Sequence, residues 1–98
     1  MKIKIHKSYR LVVAVCDSDL IGKKFEEDDR ILEINENFYG GKEVSSNELE
    51  REMADLSRED ATFNIAGRES VETALKCGLI SKEGVRKISG IPFALVLL

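Results

Sequence analysis

The segment Leu11-Val12-Val13-Ala14-Val15-Cys16 is apolar throughout and rich in β-branched residues. A strand with one wet face would alternate polar and apolar residues; an unbroken run indicates a strand covered on both faces. This constrains the fold most, because a buried strand needs neighbours at its sides and packed layers above and below. Just before it, Lys2-Ile3-Lys4-Ile5-His6 alternates, with Ile3 and Ile5 on one face, the period of a half-buried strand. The short Lys7-Ser8-Tyr9 connection makes the two an antiparallel hairpin with the apolar strand near the sheet centre.

Downstream, Asp17-Ser18-Asp19 supplies N-cap candidates for a turn or short helix at Leu20-Ile21, which Gly22 ends. A polar run from Lys23 to Asp29 follows, Arg30 to Ile34 reads as a third strand, and Phe38-Tyr39-Gly40-Gly41-Lys42 as a loop. Ser45 and Glu48 then have the spacing of a capping box, with Val44 and Leu49 placed as a hydrophobic staple. Leu49, Met53 and Leu56 form one apolar stripe on the helix that follows. Ala61, Phe63 and Ile65 alternate with Thr62 and Asn64 as a fourth strand, which Gly67 breaks. A helix carrying Val71, Ala74, Leu75 and Cys77 runs to Gly78, a C′ glycine, and Ser81 caps one further turn. Val85 to Ile88 and Phe93 to Leu98 complete the pattern as two strands joined through Ser89-Gly90-Ile91-Pro92.

The order β-β-α-β-α-β-α-β-β, with two main helices, predicts one α/β domain spanning residues 1–98, on the border with α+β. Strand–helix–strand units favour parallel crossovers and the terminal hairpins add antiparallel strands, so the sheet is mixed with helices mostly over one face. The apolar end Val96-Leu97-Leu98 is expected to be buried in a strand or in a subunit interface.

Composition narrows the class. With 43% hydrophobic and 34% charged residues the chain is not disordered by composition. No apolar run approaches the roughly 18–20 residues needed to cross a bilayer. The first residues alternate rather than forming the continuous apolar stretch of a signal peptide, which points to the cytoplasm. Cys16 and Cys77 lie in apolar segments without metal-type spacing and are expected to be buried, reduced thiols.

Chemistry-bearing clusters are sparse. His6, the single histidine, sits on the polar face of the first strand, where solvent exposure is expected, so a nucleophile–histidine pair has little basis. One histidine and two distant cysteines exclude a closed thiolate–imidazole zinc site. Asp17 and Asp19 read as helix-start residues and residues 26–29 as a solvated acidic turn, so no metal or cofactor is expected. Gly22-Lys23-Lys24 lacks the preceding glycines and the following Ser or Thr of a phosphate loop. No catalytic set emerges, and the reading leans away from an enzyme.

Two places suggest recognition. The net charge of −3 is uneven: residues 1–10 carry +4 and residues 11–60 are strongly acidic. Lys4, Lys7, Tyr9 and Arg10 combine cations with an aromatic ring and are the candidate nucleic-acid contacts. At Asn64-Ile65-Ala66-Gly67-Arg68-Glu69-Ser70 a strand ends and a helix begins, exposing free N–H groups beside a guanidinium and a hydroxyl. Asn64, Gly67, Arg68 and Ser70 are therefore the candidate anion site, although Glu69 already supplies a negative charge to that helix start.

The phrases KSYRLVVAVCDSDLIGKKFEE, FYGG, FNIAGRESVETALKCGLI and ISGIPFALVL resemble a small archaeal family of uncharacterised proteins, domain of unknown function 424. The resemblance covers essentially the whole chain. It implies a stand-alone cytosolic α/β protein and brings no established activity, cofactor or catalytic residue. The expected function is a non-enzymatic binding module that contacts RNA, a ribosomal component or a protein partner. A second copy of the chain, docked through the apolar C-terminal strand, is a further expected partner. The alternative is a domain or enzyme that takes a phosphate- or carboxylate-bearing small molecule at the strand ends.

Overall fold

In the computed structural model, which describes residues 1–97, β2 (Leu11–Cys16) lies inside a six-stranded sheet, with Val13 through Cys16 wholly buried. It pairs antiparallel with β1 (Lys2–Lys7) along the full length of both, from Lys2↔Cys16 to Lys7↔Leu11. On its other side it pairs parallel with β6 (Thr62–Ala66), from Val12↔Thr62 to Cys16↔Ala66. β8 (Ile91–Val96) runs antiparallel to β6, and β7 (Arg86–Ile88) forms one edge. At the opposite edge the two residues of β5 (Lys42–Glu43) pair with Lys2 and Ile3. The sheet order is β5-β1-β2-β6-β8-β7, a mixed sheet within one α/β domain.

Both faces of β2 are covered, by different material. Val13 and Val15, with Ile3, Phe63 and Ile65, pack under α2 (Ser46–Ser57) and α3 (Arg68–Lys76) through Leu49, Met53, Leu56, Val71 and Ala74. Ala14, Cys16 and Ala66 face the opposite layer, which contains Leu20, Ile34 and Tyr39. The two long helices thus lie over one face, and smaller elements close the other.

Those smaller elements depart from the sequence reading. Within the polar run, Lys24–Glu27 is a strand, β3, so Glu26 and Glu27 are not part of a turn, and it pairs with β4 (Arg30–Glu33) through a turn at Asp28-Asp29 as a separate two-stranded hairpin. The third strand of the sequence reading is therefore not in the main sheet. The reason lies in Phe25 and Leu32, directly opposite each other and half-buried against the sheet, while the tight turn has Asp28 at φ 58°, a conformation aspartate tolerates. Ser89 fastens the hairpin: its N–H donates to Glu27 Oε1 at 2.6 Å and its hydroxyl to the Glu26 carbonyl at 2.7 Å.

Phe38 and Tyr39, expected to open a loop, belong instead to a single helical turn, α1 (Glu36–Tyr39), started by Asn35, whose side chain accepts the Asn37 N–H at 2.7 Å. Tyr39 is the buried anchor of this turn, a packing role invisible to periodicity in so short a segment. The capping box forms as expected: Ser45 Oγ accepts the Glu48 N–H at 3.2 Å and Glu48 Oε1 accepts the Ser45 N–H at 3.0 Å. Gly78, at φ 80°, is the C′ residue of α3, with Leu79 N–H bonded back to the Ala74 carbonyl and Gly78 N–H to that of Leu75. Ser81 precedes a 3-10 turn at Lys82–Gly84 without a side-chain cap.

The C-terminal segment also differs. The β7–β8 connection is the two-residue turn Ser89-Gly90, both at positive φ, so β8 begins at Ile91 rather than Phe93. Ala94 is buried and Val96 half-buried, but Leu95 is 56% and Leu97 73% exposed, because β8 is covered there on one face only. Burial within the chain's own sheet thus does not extend to Leu97, and Leu98 lies outside the described residues. Cys77 is exposed, contrary to expectation, since it sits at the helix C-cap; Cys16 is fully buried.

Candidate functional site

The carboxyl ends of the parallel strands β2 and β6 lie side by side, the position where open α/β sheets collect ligands. Asp17 follows β2 directly, and its N–H continues the ladder to the Ala66 carbonyl at 3.1 Å. Its side chain does not cap its own turn, as the sequence suggested; the 3-10 turn at Ser18–Leu20 has no side-chain cap. Instead it reaches across to α3. The carboxylate accepts the Glu69 N–H at 3.0 Å, the Ser70 N–H at 2.8 Å and the Ser70 hydroxyl at 2.8 Å. Two of the free amides that an external anion would need at this helix start, those of Glu69 and Ser70, are engaged by an internal carboxylate.

Gly67 makes this approach feasible. It adopts φ 108°, and a Cβ there would lie 2.4 Å from Asp17 Cγ, so any side chain would collide with the capping group. The Gly67 N–H donates to the Pro92 carbonyl at 2.8 Å, tying the junction to β8. Ser70 is wholly buried, Arg68 exposed, and Asn64 half-buried on the face opposite α2 and α3, beside Ala14 and Leu95. The four candidate anion residues therefore do not converge on one point. Arg68 borders an open cleft of about 480 Å³ with Asp17, Asp19, Leu20, Glu69 and Pro92. Three carboxylates against one guanidinium make that cleft repulsive to phosphate.

A second polar knot adjoins the same end of the sheet, at a residue that the sequence did not single out. Glu43 on β5 accepts the Met1 ammonium at 2.7 Å and the Ser18 hydroxyl at 2.7 and 2.9 Å, with Lys2 Nζ 3.6 Å away. The hydrogen bond from the terminal ammonium, followed by that from Ser18, lowers its pKa from 4.5 to about 2. Nearby, burial first and the Asp17 charge second push the Cys16 thiol up to about 12, so it stays protonated. Burial likewise raises the Tyr39 phenol to about 12.

The amino-terminal cations are divided by the fold. Lys4 and His6 share a face of β1 and turn toward α1, where Lys4 Nζ donates to the Asn37 carbonyl and His6 Nε2 to that of Phe38, each at 2.8 Å. The His6 ring stacks on Phe38 with centroids 4.8 Å apart. His6 is thus half-buried and structural rather than solvent-exposed: it covers the α1 carbonyls that a one-turn helix leaves without partners. Lys7, Tyr9 and Arg10 gather at the tip of the β1–β2 hairpin, at the far end of the sheet from Asp17, and all three are exposed. Tyr9 is fully in solvent. Ser8 Oγ bridges the turn to the Arg10 carbonyl at 3.0 Å.

Among the described residues, no three His, Cys, Asp or Glu side chains are grouped to hold a metal ion, and no helix is long and apolar enough to cross a membrane.

Comparison with known proteins agrees with the fold. The family described as protein of unknown function, DUF424, matches residues 6–98. An uncharacterised conserved protein from the archaeon Methanopyrus kandleri has a similar structure, with a TM-score of 0.83 and 23% identity over 98% of this chain and 90% of that one. That likeness establishes the fold. No curated protein matches.

Proposed function

The chain belongs to the DUF424 family of proteins of unknown function, and from that premise we propose that it is a non-enzymatic RNA-binding module acting through the β1–β2 hairpin tip. One observation carries this reading: Tyr9 stands wholly in water between the exposed cations Lys7 and Arg10. An aromatic ring left outside the core contributes nothing to folding by burial. Flanked by cations, it offers a flat apolar face for an unstacked base and charges for the adjoining phosphates. The full β1–β2 ladder and the Ser8 bridge hold the tip ready, which lowers the ordering cost of contact. The acidic remainder of the chain favours local recognition over coating.

Retention of ribosomal RNA on filters, measured across a salt series, tests the reading. Tyr9→Ala and Lys7→Glu should each weaken binding by about tenfold while leaving the circular dichroism unchanged. Wild-type retention that both variants reproduce, or that ignores salt, overturns it.

A further inference from the structure

The outer edge of β1 is only half paired. β5 opposes Lys2 and Ile3, yet β1 continues to Lys7 with its inner side bonded to β2 throughout. Met1 and Val44 set the parity. The Val44 N–H donates to the Met1 carbonyl at 2.8 Å and the Met1 nitrogen reaches the Val44 carbonyl at 3.3 Å, so odd-numbered residues of β1 turn their amides outward. Ile5 and Lys7 therefore present N–H and C=O groups to the outside, and among the described residues nothing bonds them.

The chain that could have covered them turns away. Gly40 N–H bonds to the Glu36 carbonyl and Gly41 N–H to that of Tyr39, drawing this segment into α1. Gly41 passes so close to β1 that a Cβ there would overlap the Ile3 carbonyl, so the departure point is fixed. Below it a groove of about 300 Å³ opens, lined by Ile3, Lys4, Ile5, Gly41, Lys42 and Glu52, with Ile5 38% exposed on its floor.

We propose that the β1 edge from Ile5 to Lys7 binds an extended acidic peptide segment as an added strand. The backbone groups supply the ladder, Ile5 receives an apolar side chain, and Lys7 and Lys42 face carboxylates at the rim, with Glu52 the one acidic group lining the groove. Charge selects this occupant over a second copy of the chain. Two β1 edges paired antiparallel would gather the lysines of both copies, Lys4 and Lys7 of each, along one seam, and like charges facing across a ladder repel. The surface shares Lys7 with the hairpin tip proposed above but not the Tyr9 ring, and the two separate experimentally through Lys42 and Tyr9.

The test uses the full chain and a fluorescent peptide of alternating valine and glutamate, with a valine–lysine peptide as counterpart. Anisotropy should show binding of the acidic peptide alone, weakened by about tenfold in Lys42→Glu and unchanged in Tyr9→Ala. Amide hydrogen exchange should slow at Ile5 and Lys7 on binding. Ile5→Pro, which removes an outward-facing N–H together with the Ile5 side chain, should abolish the protection at Lys7, and retention of the β2 ladder is checked by exchange at the even-numbered amides. Equal binding of both peptides, protection elsewhere, or self-association of the chain through β1 overturns the proposal.

Discussion

The Asp17 carboxylate accepts both the amide and the hydroxyl of Ser70 at 2.8 Å, joining the end of β2 to the start of α3 across 53 residues of sequence. Both groups are buried, so the interaction is made away from water, where an unmade hydrogen bond is costly. This pair closes the strand-end position that most resembles a ligand site. It makes the junction a structural clamp.

Removing the clamp should therefore destabilise the whole domain. Asp17→Ala is expected to cost about 3 kcal/mol in urea unfolding, from a lost charge-assisted cap and newly orphaned donors. Gly67→Ala should cost about 2 kcal/mol or more, since alanine meets both the positive φ and the Asp17 carboxyl. The double variant should lose less than the sum, because deleting the carboxyl relieves the collision.

Glu43 predicts an acid-dependent contribution. Its folded pKa of about 2 lies below the ordinary 4.5, so the stabilisation is complete above 4.5 and disappears as pH falls toward 2. Glu43→Gln should lower the melting temperature at pH 7, and the difference from wild type should shrink through that window. Because the carboxylate is exposed, high salt should also shrink it.

The two thiols should behave differently. Cys77 is exposed and should react with a disulfide reagent in the native protein, whereas Cys16, fully buried with its pKa near 12, should react only on unfolding. A stoichiometry of one thiol per native chain and two in denaturant checks this. Two fast thiols would contradict the burial of β2.

Core and surface apolar residues should separate as sharply. Phe63, wholly buried under α2 and α3, should cost about 3–5 kcal/mol when replaced by alanine. Leu95, 56% exposed on the open part of the opposite face, should change stability by less than about 0.5 kcal/mol. Denaturant titration of both variants tests the layer assignment.

Local chemistry by itself determined the scaffold. The unbroken run at Leu11–Cys16 required a two-sided burial, Ser45 and Glu48 required a helix start, and Gly78 required a helix end; each depends on neighbours a few residues apart. Tertiary structure decided the rest. The sequence shows that Asp17 can cap a helix and that the helix start at Ser70 offers free donors, but only parallel pairing of β2 with β6 brings one to the other. Asp17 beside a buried strand and Gly67 after its parallel neighbour were the available signal. Lys4 looked like a surface cation until α1 offered a carbonyl, and Glu26 and Glu27 looked like part of a turn until Phe25 found the sheet. In each case the deciding contact is long-range, and a one-dimensional pattern shows which groups need partners without showing which partners the fold brings within 3 Å.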